Sequence, residues 1–562
     1  MPLHIMEAAA TGEVTATLNL TYCYGAKGGI RDNILYTSES QIIYPVGRHL
    51  AIYNFESKDM KFILQPENVD AIQAMTISTS RKYLALSELL ADPAAVAAGT
   101  SGAPLVVGAG GSQVSVINVA AESPKRVKVL THPDCKQFTC VCFSGDGKYL
   151  VTIGSPPDYL MVYWSWMQGK VAASVRVGSQ VRRVSFSPND SLQLATSGPA
   201  SLLKVWRLQE NQVKGFSLLT GKAAATLYSF TDHAWVAGER LVATTESGEI
   251  VVAEEGEHRC TMRPRTVGAA LLAVAPYSSG FVVAGSEGHM SVYEKNEARD
   301  AKVEDKEIFH HFKTFKAAEG HDIVAISLSA GEDHLAALFS TSQVGLFAMG
   351  NVAILKEDAD NFSYVGQGFH SASITGMDVC VRKPLVATCG SDRVVRLWNY
   401  LERTCEATKA FQEDPASLAL HPFGFFLLVG FSDKLRLFNV LIDDLRLANE
   451  LGLKGCKEVR FSHGGHMFAA AHMSNVAVYA TNTCDKLGVL VSHTALVRSL
   501  SWAADDLRLA TAGIDGAVYE WSIQDYSRKE EHVTRNVHYG AVAYRRGGAG
   551  VLAAGDAPTI TE

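Results

Sequence analysis

Two stretches of this 562-residue chain carry the same four residue types at the same intervals. In the first, His370 is followed by Thr388, Asp392 and Trp398; in the second, His493 is followed by Thr511, Asp515 and Trp521. Around the first set, the apolar runs ITGMDVCV, PLVATCG and VVRLWNY are separated by turn residues and read as three short antiparallel strands, because alternate side chains face opposite ways and branched residues suit a pleated surface. A sheet that small cannot bury its own faces, so several must stack. A Trp N–H, a Thr hydroxyl, an imidazole and a carboxylate gathered in one small sheet can satisfy each other's hydrogen bonds, and the Asp can also hold the hairpin turn. Identical spacing then means identical geometry, and the repeat constrains the whole fold.

Other units share the pattern in weaker form. Two close at Trp164 and Trp206, three degenerate ones close near Val252, Tyr293 and Phe347, and from Phe369 the phase runs cleanly through Trp398, Phe438, Tyr479 and Trp521. A period of roughly 40 residues with four strands per unit is the signature of a propeller. The set His370, Thr388, Asp392, Trp398 and the set His493, Thr511, Asp515, Trp521 resemble the structural tetrad of the WD repeat, although Asn399 and Ser522 stand where that repeat commonly has Asp after the Trp. The expected fold is therefore all-β, with tandem WD40 β-propellers built from four-stranded blades. About eleven units and a partial one exceed the four to eight blades of a single propeller. The expected organisation is a disordered tail over 1–17, a first propeller over 18–350, a linker over 351–368, an incomplete second propeller over 369–556 and a tail over 557–562. Either the strands of 18–57 complete the second ring or the chain is a truncated product; truncation is the expectation.

Near the amino terminus the succession RDNILY, IIYPVGRHLAIYN, a KFI strand and an apolar AMTIS strand resembles the opening of the cilia- and flagella-associated protein 57 family, also called WD repeat protein 65. More distant resemblance is to the echinoderm microtubule-associated-protein-like tandem propellers. The resemblance implies a non-catalytic axonemal scaffold of motile cilia or flagella that helps to attach, assemble or regulate inner dynein arms on doublet microtubules. Implied partners are inner dynein arm or regulatory complex components and tubulin; the implied location is cytoplasm, cytoskeleton and axoneme. Family members continue into a long coiled coil, and no sustained heptad pattern occurs here, so homo-oligomerisation lacks its expected basis. WD repeats alone would equally suit a cytosolic adaptor for ubiquitin ligation, trafficking or another multiprotein complex.

Composition narrows the partners. With 51 Lys+Arg against 58 Asp+Glu, the net charge of −7 gives no global case for nucleic acid. Ten cysteines without an even framework suggest a reducing compartment. The start MPLHIMEAAATGEV lacks the plan of a secretory signal, and no apolar run is long enough to span a bilayer, so no membrane partner is expected.

Candidate chemistry is sparse. His132, Cys135, Cys140 and Cys142 lack a paired CxxC, and His463, His466 and His472 fall on a turn and the strand after it, so no metal site is expected. The runs VVGAGGSQ and YGAKGGIRD lack the GK[ST] ending of a phosphate loop, and no cofactor is expected. Because the His, Thr and Asp sets recur, they read as structural bonds rather than one catalytic site, and no catalytic residue or enzyme activity is expected. Lys125, Arg126, Lys128, Arg182 and Arg183 form a candidate protein-contact patch, the alternative being solvated strand edges that deter mispairing. Function is otherwise expected in the irregular parts: the loop 89–103, the charged connection 294–320 with Phe309, Phe312 and Phe315, and the ragged carboxyl end.

Overall fold

The computed structural model describes residues 20–562 apart from 31, 92–110, 122, 158, 210–211, 220–225, 238, 255, 264–268, 297–307, 318–319, 358, 366–367, 546–549 and 557–559. Its described strands form twelve antiparallel sheets, eleven of four strands and a last one of two, and in every sheet the strands follow in chain order. Each sheet is thus one blade, a simple meander. The described residues fall into two compact units, one ending at Phe369 and the other beginning at His370. The call on residues 1–17 lies outside the described residues.

In the first unit, blades 1 to 7 occupy 35–63, 69–130, 138–176, 183–217, 230–262, 271–316 and 323–365. Each blade packs its apolar face on the next. Blade 3 meets blade 4 through Tyr163 and Phe186, for example, and blade 6 meets blade 7 through Phe315 and Phe347. The ring closes where Ala336, Leu338 and Val344 of blade 7 pack on Tyr36, Ile42 and Ala51 of blade 1. Strands beyond residue 34 therefore belong to the first ring and do not complete the second. The segment 351–368, expected to be a linker, carries the strand Phe362–Val365, which pairs with Val344–Ala348 as the outer strand of blade 7. Buried Phe362 anchors it between Phe339 and Phe347.

The second unit contains blades 8 to 11, at 374–410, 417–451, 456–491 and 497–533, and the two-stranded blade 12 at 539–555. Successive blades again share apolar seams, ending with Val518 of blade 11 against Tyr539 and Val542 of blade 12. In the expected tail 557–562, Thr561 exchanges backbone hydrogen bonds with Ala553 at 2.9 Å each way. The first strand of blade 8 leaves Ile374, Met377 and Val379 exposed.

The sequence pattern follows from position within a blade. Middle strands are covered on both faces by neighbouring blades and read as mostly small or apolar runs around the buried Thr, such as Leu385–Gly390 and Arg508–Gly513. Fourth strands lie at the rim: every residue of Arg528–Val533 is exposed, and its charges deter edge-to-edge pairing. A β-bulge recurs opposite the closing Trp. The fourth strand has an extra residue beside Trp164, Trp398 and Trp521, which re-aims the local backbone where the indole turns inward.

Two expectations about irregular segments change. In 294–320, Phe309–Lys316 is the outer strand of blade 6; Phe309 and Phe315 are buried in blade seams and are not available as partner anchors, while Phe312 is half-buried against the blade 6–7 seam. Of the loop 89–103, Leu89 and Leu90 end a strand of blade 2, and residues from 92 onward lie outside the described residues.

Candidate interaction surfaces and their braces

Both tetrads are closed chains of hydrogen bonds. Trp521 Nε1 donates to Thr511 Oγ1 at 3.0 Å, Thr511 Oγ1 lies 2.8 Å from His493 Nε2, and His493 Nδ1 lies 3.1 Å from both oxygens of Asp515. In blade 8 the corresponding distances are 2.8 Å for Trp398 to Thr388, 2.8 Å for Thr388 to His370 and 3.0 Å for His370 to Asp392. The direction of every proton is forced. Indole can only donate, so the Thr hydroxyl accepts from it; the carboxylate can only accept, so Nδ1 carries the proton facing it; and because burial disfavours a second ring proton, Nε2 accepts the Thr hydroxyl proton. The imidazole is thus neutral. Burial lowers the pKa of both His370 and His493, and their Asp partners offset this only in part. Asp515 is held below the usual carboxylate range: burial opposes this, but the backbone N–H groups of Thr494 and Ala517 and the His493 bond outweigh it.

The turn that delivers each Asp needs a glycine two residues earlier because the tetrad approaches so closely. A Cβ on Gly513 would lie 2.6 Å from Asp515 Oδ1 and 2.7 Å from His493 Nδ1; on Gly390 it would lie 2.9 Å from Asp392 Oδ1 and from His370 Nδ1.

Elsewhere the brace is rebuilt from other residues. Blades 3 and 4 keep the Trp to Thr bond, with Trp164 to Thr152 at 3.0 Å and Trp206 to Thr196 at 2.9 Å. Between blades 4 and 5, His233 is fully buried with Ser185 on Nε2 at 2.8 Å and Ser197 on Nδ1 at 2.6 Å, and burial takes its pKa down to about 3. In blade 2 the buried Glu88 receives Arg126 on both oxygens at 2.9 and 3.1 Å, together with Ser115 at 2.6 Å and Gln113 at 2.8 Å.

A second set of bonds ties one blade to the next. Asp232 accepts the backbone N–H of Val274 at 2.9 Å, and Asp378 accepts that of Leu420 at 2.8 Å. Thr231 donates to the carbonyl of Leu271 at 2.6 Å, and Thr375 to that of Pro415 at 2.7 Å. Asp506 holds the N–H groups of His463 and Gly464, each at 2.7 Å, while His463 Nε2 bonds the carbonyl of Trp502 at 3.1 Å. The His463 turn therefore serves the seam between blades 10 and 11. Cys140 and Cys142 lie on the first strand of blade 3 and pack in its apolar seam with blade 4, Cys135 is buried between blades 2 and 3, and His132 sets its ring edge-on to Trp164. Among the described residues, no group of three His, Cys, Asp or Glu side chains is placed to hold a metal ion.

The five basic residues are not gathered into one patch. Arg126 is engaged by Glu88, and Arg182 pairs with Glu246 at 2.6 Å. Arg183 pairs with Asp232 at 3.3 Å and also with Asp32, which comes from the segment preceding blade 1. That segment is itself fastened into the first unit: Ala26 N–H donates to Ser342 at 2.9 Å, and Lys27 N–H donates to Pro45 at 2.8 Å. Lys125 and Lys128 lie on the outer strand Lys125–Leu130 of blade 2, with Lys125 exposed. None of these carboxylates is adjacent in sequence to the Arg it holds.

Residues 365–399 and 484–522 match the family model "WD domain, G-beta repeat". These spans contain Trp398 and Trp521. Over 98% of its length the chain is 31% identical to mouse cilia- and flagella-associated protein 57, covering 46% of that protein. It is 27% identical over 94% of its length to cilia- and flagella-associated protein 57 A of Tetrahymena thermophila, covering 44% of it. It is 22% identical over 90% of its length to mouse echinoderm microtubule-associated protein-like 2, covering 74%. The chain thus spans about half the length of the two cilia- and flagella-associated relatives.

Proposed function

Because this chain is a WD-repeat relative of the cilia- and flagella-associated protein 57 family, we propose that it is a non-catalytic scaffold of motile cilia or flagella. In this reading it sits on doublet microtubules and helps to attach, assemble or regulate inner dynein arms through contacts made by its propeller blades. Partners would be inner dynein arm or regulatory complex components and tubulin, and the working site is the axoneme. The single observation that carries the proposal is similarity over 98% of the chain to a protein whose name is cilia- and flagella-associated. Support also comes from relatives named as microtubule-associated.

The architecture suits that role. Polar side chains that could pass for catalytic sets are used as braces within and between blades, so what the fold presents is rigid, multi-sided surface. Several weak contacts on one rigid body give strong combined retention when they can engage together. Of the basic residues, Lys125 and Lys128 on the rim of blade 2 are the ones proposed to face an acidic partner, since the arginines are engaged within the fold.

Fractionation tests the reading. A tagged chain expressed in motile ciliated cells should stay with axonemes after detergent and be released by raised salt, which screens surface charge. Recovery in the detergent-soluble pool alone would overturn it and favour a cytosolic adaptor.

A further inference from the structure

Two phenylalanines on one turn of the second unit are held rigidly at the surface. The turn from His421 to Phe425 joins the first two strands of blade 9, and Phe423 and Phe425 present parallel rings 6.2 Å apart, Phe425 being 57% exposed. Their floor is His421, whose ring centroid is 5.9 Å from each. Both nitrogens of His421 are used: Phe423 N–H donates to Nδ1 at 3.1 Å, and Nε2 bonds the carbonyl of Gly465 at 3.2 Å. Gly424 between the rings has φ +68°, a conformation that favours glycine, and a Cβ there would lie 3.0 Å from Lys383 and 3.3 Å from Cys380. The rings are therefore preorganised, and a partner need not restrict them on binding.

Cations flank both rings. The Arg382 guanidinium lies 5.3 Å from the Phe423 centroid, and Lys383 Nζ lies 5.4 Å from that of Phe425. Among the described residues neither cation has a carboxylate within ion-pair distance, although the chain has an excess of acid. Apolar surface continues on both sides. Val381, 76% exposed, lines with Pro422 one side of an open pocket of about 280 Å³ to which blades 8 to 12 all contribute residues. On the other side Val440 N–H donates to Phe425 at 2.9 Å, which brings Leu441 and the 92% exposed Ile442 alongside.

We propose that this patch is a docking site for an acidic protein segment carrying one large apolar side chain. The apolar anchor lies against Phe423 and Phe425, and its flanking carboxylates meet Arg382 and Lys383. Aromatic residues, Phe among them, and Arg are enriched at protein interfaces, and cations with no carboxylate partner of their own set the charge of what they receive. An anionic membrane fits less well: a flat bilayer would also meet the exposed carboxylates of Glu402 and Asp443 on the neighbouring turns, which a narrow peptide can pass between. The site needs no axonemal setting, so its failure would leave the functional reading above untouched.

The test uses the full chain and fluorescent glutamate-rich peptides that differ only in one central residue: Phe, Trp, Leu or Ser. Binding is expected for the apolar members, weakened about tenfold or more by Ser at the centre, by Phe425→Ser and by the pair Arg382→Gln and Lys383→Gln, and weakened by salt. The altered residues are exposed, and thermal unfolding checks that each variant keeps its fold. No binding by any peptide, binding unchanged in both variants, or binding to phosphatidylserine vesicles without binding to peptide would overturn the proposal.

Discussion

Thr511 Oγ1 stands 2.8 Å from His493 Nε2 while receiving the indole N–H of Trp521 at 3.0 Å, so a single hydroxyl is the joint between a blade's core and its turn. The same joint at Thr388 links Trp398 to His370. Because the indole, hydroxyl and imidazole are buried and bonded to one another, removing any of them, or the Asp, strands a buried neighbour.

Trp521→Ala should destabilise the second unit by roughly 3–5 kcal/mol, since it empties a buried core position, and Asp515→Ala by about 1–3 kcal/mol, since it leaves the His493 N–H unpaired. Thermal unfolding reads both. Thr511→Ser, which keeps the hydroxyl, should stay closer to the parent than Thr511→Ala. Unchanged unfolding of Trp521→Ala and Asp515→Ala would contradict the bracing role.

Gly513→Ala should also weaken the same unit, by about 1–3 kcal/mol, the usual cost of overpacking. Its added methyl meets Asp515 Oδ1 at 2.6 Å, whereas Gly540 in blade 12 has nothing within 4 Å of a Cβ. Chemical denaturation of Gly513→Ala beside Gly540→Ala tests the difference; equal midpoints would count against it.

Stability should fall as pH drops below about 6.5. His233 titrates at 6.5 when unfolded and at about 3 when folded, so between those values the unfolded chain binds the extra proton. The group's contribution is complete above the unfolded pKa and is lost as pH falls towards the folded one, roughly 2–3 kcal/mol of it between pH 6.5 and about 4.5. His370 and His493 are shifted the same way and add to the slope. Denaturant midpoints measured across this range should decline, and less steeply in His233→Gln. An identical slope in that variant would contradict the assignment.

Breaking the blade 2 ion pair on one side should cost more than replacing both ends. Glu88→Met or Arg126→Met alone leaves a charge stripped of its partner, at roughly 3–5 kcal/mol, while the double substitution recovers much of the loss. A double-mutant cycle by denaturation measures the coupling; additive single effects would show that the pair is not coupled.

Much of this was legible in the sequence where the repeat is intact. Trp164, Trp206, Trp398 and Trp521 mark third strands because a large ring at a fixed phase has one place to go. What replaced the tetrad was not legible. Glu88 meets Arg126 from another strand of its blade, and His233 is met by Ser185 and Ser197 across a seam, at intervals with no repeat to betray them. Arg182 and Arg183 read as a free basic run because Glu246, Asp232 and Asp32 are distant in sequence. Phe309 and Phe315 read as surface because charged neighbours surround them, whereas strand alternation sends those neighbours outward. Blade 1 was hard to assign to a ring, since Tyr36 and Ile42 pack on Leu338, which lies far along the chain in blade 7.

The most direct test of the scaffold reading is an electron cryo-microscopy map of axonemal doublets from cells with and without this chain. The expected result is density fitting its seven-bladed first unit beside the inner dynein arms, present in the parent and absent from the null. Doublets identical in the two, with the inner arms fully in place, would contradict it.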